Sequence, residues 1–130
     1  MKAKQEFLIE TDIIIEHLIQ SNISEHSILE LAMLKGICFT SVIVASELYF
    51  NCKDNEEKKA VDSVIYAMNV LGIHPRYSLN ISYFFDKVAT VRDALMCSIA
   101  KNNKLPILTN QVERFSCSGL EIISPNELRG

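Results

Sequence analysis

Three acidic residues, Glu10, Glu47 and Asp93, stand beside apolar residues, where an isolated carboxylate is costly to bury. Glu10 ends an apolar run, and the other two have mostly apolar neighbours three and four residues away on predicted helices. Carboxylates gathered in one partly buried place repel each other unless some are protonated or a cation neutralises them. All-oxygen ligands suit Mg²⁺ or Mn²⁺, and such an ion activates water for phosphodiester hydrolysis. The pattern favours one shared metal site over separate structural acids, which are the alternative.

The elements around these acids are predicted to bring them together. The run Phe7-Leu8-Ile9 followed by a helical pattern predicts a buried strand that turns into a helix, with Glu10 and Asp12 at the carboxyl end of the strand. Open α/β sheets bind ligands at that edge. Capping of the following helix is the alternative role for Asp12. Three further polar residues are predicted to follow a later strand at the same edge, where they can hold water or a ligand carboxylate: Thr109, Asn110 and Gln111.

Strand and helix patterns alternate along the chain. Strands are predicted at residues 6–9, 37–40, 73–74, 105–108 and 120–123. Helices are predicted at 11–20, 24–35 and 42–51, in a fourth segment that ends at residue 71, and at 81–101. A break is predicted after the first helix, at Ser21-Asn22, and an interruption of the last helix near 89–90. A helical turn is predicted at 111–115, and a short tail after Pro125. Gly36 and Gly72 are predicted to end helices. This alternation predicts a three-layer α/β/α fold with a central parallel sheet of four to five strands flanked by helices.

Composition limits the class of protein. The 130 residues fit one domain, residues 1–130, and nearly half are apolar, with no run long enough to span a bilayer. The charged N-terminus does not have the pattern of a signal peptide, so a cytoplasmic location is predicted. Four cysteines are scattered singly, without zinc-ligand spacing. A net charge of −3 does not favour nucleic-acid binding, although a bound cation can reverse the local field.

Four sequence blocks, in this order, resemble the PIN domain family (PilT N-terminus), in particular its small toxins of the VapC type. The blocks are LIETDIII at 8–15, TSVIVASEL at 40–48, VRDALMCSIA at 91–100, and PILTNQVERF at 106–115 followed by GLEIISP at 119–125. The resemblance covers nearly the whole chain. It implies a Mg²⁺- or Mn²⁺-dependent endoribonuclease that acts on an RNA substrate, and a homodimer held by a partner antitoxin.

Carried over residue by residue, the resemblance makes Glu10, Glu47 and Asp93 the catalytic metal ligands. Accessory roles fall on residues of the first and last blocks, namely Asp12, Thr109, Asn110, Gln111 and Glu113. Arg92 and Arg114 are predicted to contact phosphate, with a solvated surface position as the simpler interpretation of Arg92.

Two departures from the family pattern bear on catalysis. The first metal-binding position is normally aspartate and is Glu10 here, and the longer side chain displaces the carboxylate in a site where Mg²⁺ demands strict geometry. In the last block the family's asparagine falls on Gln111 and its aspartate on Arg114, unless a one-residue shift places Asn110 or Glu113 there. The alternative function is therefore a catalytically impaired PIN-like domain that serves as an RNA- or protein-binding or regulatory module. A phospho-acceptor receiver domain needs an aspartate and a lysine that this chain lacks at the required strand ends.

Overall fold

The computed structural model describes residues 4–20 and 24–129 of the chain. Two 3₁₀ turns, Ile81–Phe84 and Val112–Arg114, accompany the regular elements. These elements are β1 (Gln5–Ile9), α1 (Thr11–Ile19), α2 (Ile28–Lys35), β2 (Gly36–Ser41), α3 (Val42–Phe50), α4 (Asn55–Tyr66), β3 (Asn69–Leu71), α5 (Tyr77–Asn80), α6 (Val91–Asn103), β4 (Ile107–Leu108), β5 (Ile122–Ile123) and α7 (Pro125–Arg129).

The five strands form one parallel sheet in the order β3-β2-β1-β4-β5. The direction in which strands are added reverses at β1, and right-handed connections then place helices on opposite faces of the sheet. Helix α1 contacts α2, α3 and α4, and α5 contacts α6. The predicted α/β architecture, a central parallel sheet flanked by helices, is confirmed.

Strand β1 lies at the centre of the sheet and of the core. Phe7, Leu8 and Ile9 are fully buried, because β2 and β4 pair with β1 on its two sides and helices cover its faces. The run ends in Glu10, at the point where the strand order reverses. The residues that follow β1, β2 and β4 therefore meet at one edge of the sheet.

Gly36 lies where a side chain on β2 would meet the main chain of β1. It caps α2, as predicted, and is also the first residue of β2, paired with Gln5. A Cβ atom at this position would lie 2.0 Å from the carbonyl oxygen of Gln5. Only glycine therefore allows this strand pairing without a shift of the main chain.

The third strand was predicted in the wrong place. Helix α4 ends at Tyr66 rather than at residue 71, and residues 69–71, not 73–74, pair with β2. Short apolar runs fit a helix and a strand equally well by periodicity, and here pairing with Thr40 and Ser41 decides the outcome. Gly72 consequently follows a strand instead of ending a helix.

The long helix predicted from residue 81 is also wrong in its first half. Residues 77–84 form the short helix α5 and a 3₁₀ turn, and α6 begins only at Val91. The interruption predicted at 89–90 is confirmed, because the Thr90 hydroxyl accepts a hydrogen bond from the Asp93 N–H at 3.1 Å and caps α6.

The remaining differences concern the ends of elements. Helix α2 begins at Ile28 rather than at residue 24, because Ser27 and Glu30 form a capping box. Strands β4 and β5 are two residues each, shorter than predicted, and the predicted tail after Pro125 is helix α7. The predicted break at Ser21-Asn22 lies outside the described residues. Within residues 4–20 and 24–129, no helix is both long enough and apolar enough to cross a membrane.

Candidate functional site

Glu10 is placed by the end of β1 and the start of α1. Its extended backbone makes it the N-cap of α1, and its Oε1 accepts a hydrogen bond from the Thr11 N–H at 3.2 Å. The carboxylate is 1% exposed. Asp12, which was considered as the cap, lies inside the first turn of the helix and has different partners.

Glu47 and Asp93 reach the same edge from two other connections. Ser41 caps α3 directly after β2, and Glu47 lies on the second turn of α3. Asp93 is buried in the first turn of α6. Together with Glu10 they form the carboxylate cluster, the three acids that the sequence predicted to share one site.

Arg92 lies at the centre of the carboxylate cluster. One terminal nitrogen, NH1, is 2.5 Å from Glu10 Oε2 and 3.1 Å from Asp93 Oδ1. The other, NH2, is 2.6 Å from Glu47 Oε1 and 2.7 Å from Glu10 Oε1, and Nε donates to Glu47 Oε2 at 3.3 Å. The side chain is 22% exposed. The interpretation of Arg92 as a solvated surface residue is therefore wrong.

Arg114 closes the cluster on the side of Asp93. Its Nε donates to Asp93 Oδ2 at 3.2 Å, and NH2 makes a short ion pair with Asp93 Oδ1. NH1 donates to Gln111 Oε1 at 2.6 Å and lies 3.8 Å from Glu10 Oε2. Arg114 is more exposed than Arg92, and its predicted contact with phosphate stays a prediction.

The charges in the cluster stabilise one another. Burial acts to lower the pKa of Arg92, but hydrogen bonds to Glu10 and Glu47 and their charges raise that pKa above its ordinary value. Burial acts to raise the pKa of Glu47, but hydrogen bonds from Arg92 and Thr11 and the charges of both arginines bring it below its ordinary value. Both groups are therefore charged at neutral pH.

Thr11 is a site residue that is not among those predicted from the sequence. Its hydroxyl donates to Glu47 Oε1 at 2.7 Å and accepts from Arg92 NH2 at 3.1 Å, so it links the start of α1 to the cluster. The available signal was its place between Glu10 and Asp12, since a hydroxyl between two acids at a strand end points toward the same edge.

The accessory residues form a second group beside the cluster. Asp12 accepts hydrogen bonds from the Thr109 hydroxyl at 3.0 Å and from the Asn110 N–H at 2.7 Å. Thr109 in turn accepts from the Gln111 N–H at 3.0 Å. These bonds fasten the loop after β4 to α1. Glu113 is exposed on the 3₁₀ turn, and within residues 4–20 and 24–129 its carboxylate forms no ion pair with Arg92 or Arg114.

As arranged, the cluster does not fit a divalent cation. Each of the six carboxylate oxygens of Glu10, Glu47 and Asp93 accepts a hydrogen bond from one of the two arginines. Among residues 4–20 and 24–129, no three His, Cys, Asp or Glu side chains are arranged to hold a metal ion. An ion at this place requires that Arg92 first leave the carboxylates.

Comparison with known proteins gives the fold but no relative by sequence. No protein-family model and no curated protein matches the chain. Among solved structures, a chain of the VapBC2 complex from Rickettsia felis, bound to a DNA fragment from its promoter, superposes with a TM-score of 0.76 at 17% identity, over 92% of this chain and 98% of that chain. A chain of VapBC-1 from nontypeable Haemophilus influenzae superposes with a TM-score of 0.75 at 16% identity, over 94% of this chain and 99% of that chain. The sarcin–ricin loop cleaving toxin VapC20 of Mycobacterium tuberculosis gives 0.65 at 13%, over 92% and 98%.

These similarities extend over nearly the full length of both chains. The protein therefore has the PIN-domain fold found in toxins of the VapC type, as the sequence blocks predicted. At identities of 13–17% the likeness establishes the fold alone.

Proposed function

We propose that this chain is the PIN-fold partner of an antitoxin-like protein and that it acts by binding this protein. The observation that carries the proposal is a groove of about 360 Å³ between α1, α3 and α4. Two of its lining residues, Thr11 and Glu47, belong to the site described above, so the groove opens beside the carboxylate cluster.

The chemistry of the groove indicates what it binds. Ile15, Leu18 and Ile19 of α1 line it, and Ile19 is 75% exposed. Glu47 and Glu57 add negative charge at its walls. An amphipathic helix that carries apolar side chains and a basic residue complements this surface. A solved structure of the same fold, from Klebsiella pneumoniae, is a toxin–antitoxin complex, which supports a protein partner.

Binding is preferred to cleavage because the carboxylates already have cationic partners. Hydrolysis assisted by a metal needs open coordination positions for the ion and its water. In the cluster, N–H groups of Arg92 and Arg114 already occupy the carboxylate oxygens that would hold an ion, and arginine, which stays protonated, cannot accept a proton from water.

Co-expression with the product of the adjacent gene tests the proposal. We expect the two proteins to co-purify, and we expect Ile19→Glu to weaken the complex at least tenfold, because burial of one isoleucine contributes roughly 1.5–3 kcal/mol. Leu79→Glu is the matched control, since Leu79 is 76% exposed and lies outside the groove. Absence of a complex, or equal weakening by both substitutions, would contradict partner binding through the groove.

A second candidate is the metal-dependent endoribonuclease implied by the family resemblance. It is favoured by the convergence of Glu10, Glu47 and Asp93 at one sheet edge, on a fold shared with a toxin that cleaves the sarcin–ricin loop. In this candidate the three acids would hold Mg²⁺ or Mn²⁺ after displacement of Arg92. Cleavage of RNA in Mn²⁺ by the wild type, absent in Asp93→Asn, would establish it; equal background in both would exclude it.

Exposed apolar side chains bear on the oligomeric state of the protein. We propose a homodimer, supported by large apolar side chains that are exposed in the described chain, among them Phe50 and Phe85. Sedimentation equilibrium measures the mass of the oligomer directly, and a mass of one chain would contradict the homodimer.

A cytoplasmic location is supported by the state of the cysteines. All four are free thiols, as expected in a reducing compartment: Cys38, Cys52, Cys97 and Cys117.

A further inference from the structure

We infer that Arg92 is the resident cation of the carboxylate cluster and replaces the divalent ion of an all-carboxylate site. Its planar guanidinium contacts Glu10, Glu47 and Asp93 at once, at 2.5–3.3 Å, and also Thr11 at 3.1 Å. A group that binds several carboxylates from separate elements performs the structural task of a multidentate metal ion.

The charge balance supports the replacement. Counted formally, the three acids contribute three negative charges, and Arg92 and Arg114 together contribute two positive charges, the same as one divalent ion. A divalent ion bound in addition would leave excess positive charge and would lie against guanidinium groups. The cluster therefore accommodates either the two arginines or the divalent ion, but not both.

The position of Arg92 keeps a cation attached to the chain beside the three acids. It precedes Asp93 on the first turn of α6, so the same turn that carries one acid also carries the cation for all three. Its contacts with Glu10 span 82 residues of the chain, and those with Glu47 span 45. An ion is lost to a chelator, whereas a covalently attached guanidinium is not.

The inference leads to a direct measurement with Mn²⁺ as the probe. We expect the full-length wild type to bind no Mn²⁺ at the cluster, and its melting temperature to be equal in EDTA and in Mn²⁺. Arg92→Met removes the cation, and we expect this variant to gain Mn²⁺ binding that is roughly tenfold or more tighter than any residual binding by the wild type, and to melt at a higher temperature when Mn²⁺ is present. Electron paramagnetic resonance of free Mn²⁺ and thermal denaturation give the two readouts.

Arg76→Met is the matched control, because Arg76 is an exposed arginine outside the cluster. We expect it to behave as the wild type does. In the double variant Arg92→Met/Asp93→Asn the acquired Mn²⁺ binding should fall, which assigns the ion to the cluster.

Two results would overturn the inference. One is tight Mn²⁺ binding by the wild type that Asp93→Asn abolishes, and this arm does not depend on whether Arg92→Met folds. The other is a folded Arg92→Met without any gain in Mn²⁺ binding. Neither measurement involves a partner protein, so the inference and the proposed groove succeed or fail separately.

Discussion

Removal of Glu10 from its ion pair with Arg92 is expected to be one of the more destabilising single substitutions in this chain. Glu10 is 1% exposed and receives two hydrogen bonds from the guanidinium, at 2.5 and 2.7 Å. Removing one partner of a buried pair costs about 3–5 kcal/mol. Because Arg92 keeps Glu47 and Asp93 as partners, we expect Glu10→Gln to lower the unfolding free energy by an amount at the lower end of this range, about 3 kcal/mol. For a chain of this length that lowers the melting temperature by about 10 °C.

A double-mutant cycle isolates this interaction. Glu10→Gln, Arg92→Met and the double variant are unfolded in urea at neutral pH and followed by circular dichroism. After Arg92→Met, Glu10 has lost its two hydrogen bonds to the guanidinium and keeps the more distant Arg114, at 3.8 Å, so its replacement costs less, and we expect a coupling energy of about 2 kcal/mol. Glu121→Gln, at an exposed glutamate, is the control and should change stability by less than about 0.5 kcal/mol. A coupling energy below about 0.5 kcal/mol would refute the arrangement of charges described here.

Three further predictions concern other parts of the chain. Gly36→Ala should lower the unfolding free energy in urea by about 1–3 kcal/mol or more, because its methyl group meets the main chain of β1, whereas Gly72→Ala meets open space. Burial raises the pKa of Cys97 to about 12, so Ellman's reagent near pH 8 should modify the exposed Cys117 first and Cys97 only after unfolding. The pKa of Glu47 is lowered on folding, so the stabilisation that its charge gives the folded state is present above the ordinary pKa of 4.5 and is lost as the pH falls below that value. Glu47→Gln should therefore lower the unfolding free energy at neutral pH and approach the wild type in acid. Urea unfolding at both pH values measures this difference.

Each of these predictions has an outcome that contradicts it. Wild-type stability of the Gly36 variant would mean that β1 and β2 lie farther apart. Rapid labelling of Cys97 in the native protein would mean that α6 opens readily. A difference between wild type and Glu47→Gln that does not shrink in acid would mean that the carboxylate has no favourable charge partner.

The sequence predicted the centre of the fold because local and tertiary signals agree there. The run Phe7-Leu8-Ile9 is followed directly by a helical pattern, which favours a buried strand before that helix, and Ser41 is a residue type that commonly caps a helix at the start of α3. Residues 69–71 could not be assigned in this way, because their extended form depends on pairing with β2, some 30 residues earlier in the chain.

Convergence of the three acids was predicted, but the group that joins them was not. Arg92 stands between a valine and an aspartate at the start of a helix, and nothing in this local pattern separates an inward arginine from a solvated one. The Arg92 side chain points inward because it pairs with Glu10 and Glu47, which are distant in sequence. Whether the acids bind a metal stays a prediction.

The order of the strands has a consequence for how the nascent chain folds. Leu8 pairs with Phe39 on one side of β1 and with Ile107 on the other, so the first contact closes a short loop and the second a long one. Half of the sheet can form while the ribosome is still making the rest. Until α6 emerges, Glu10 and Glu47 have no guanidinium to face, and a fragment that stops before residue 92 carries an unbalanced pair of negative charges at the open edge of its sheet.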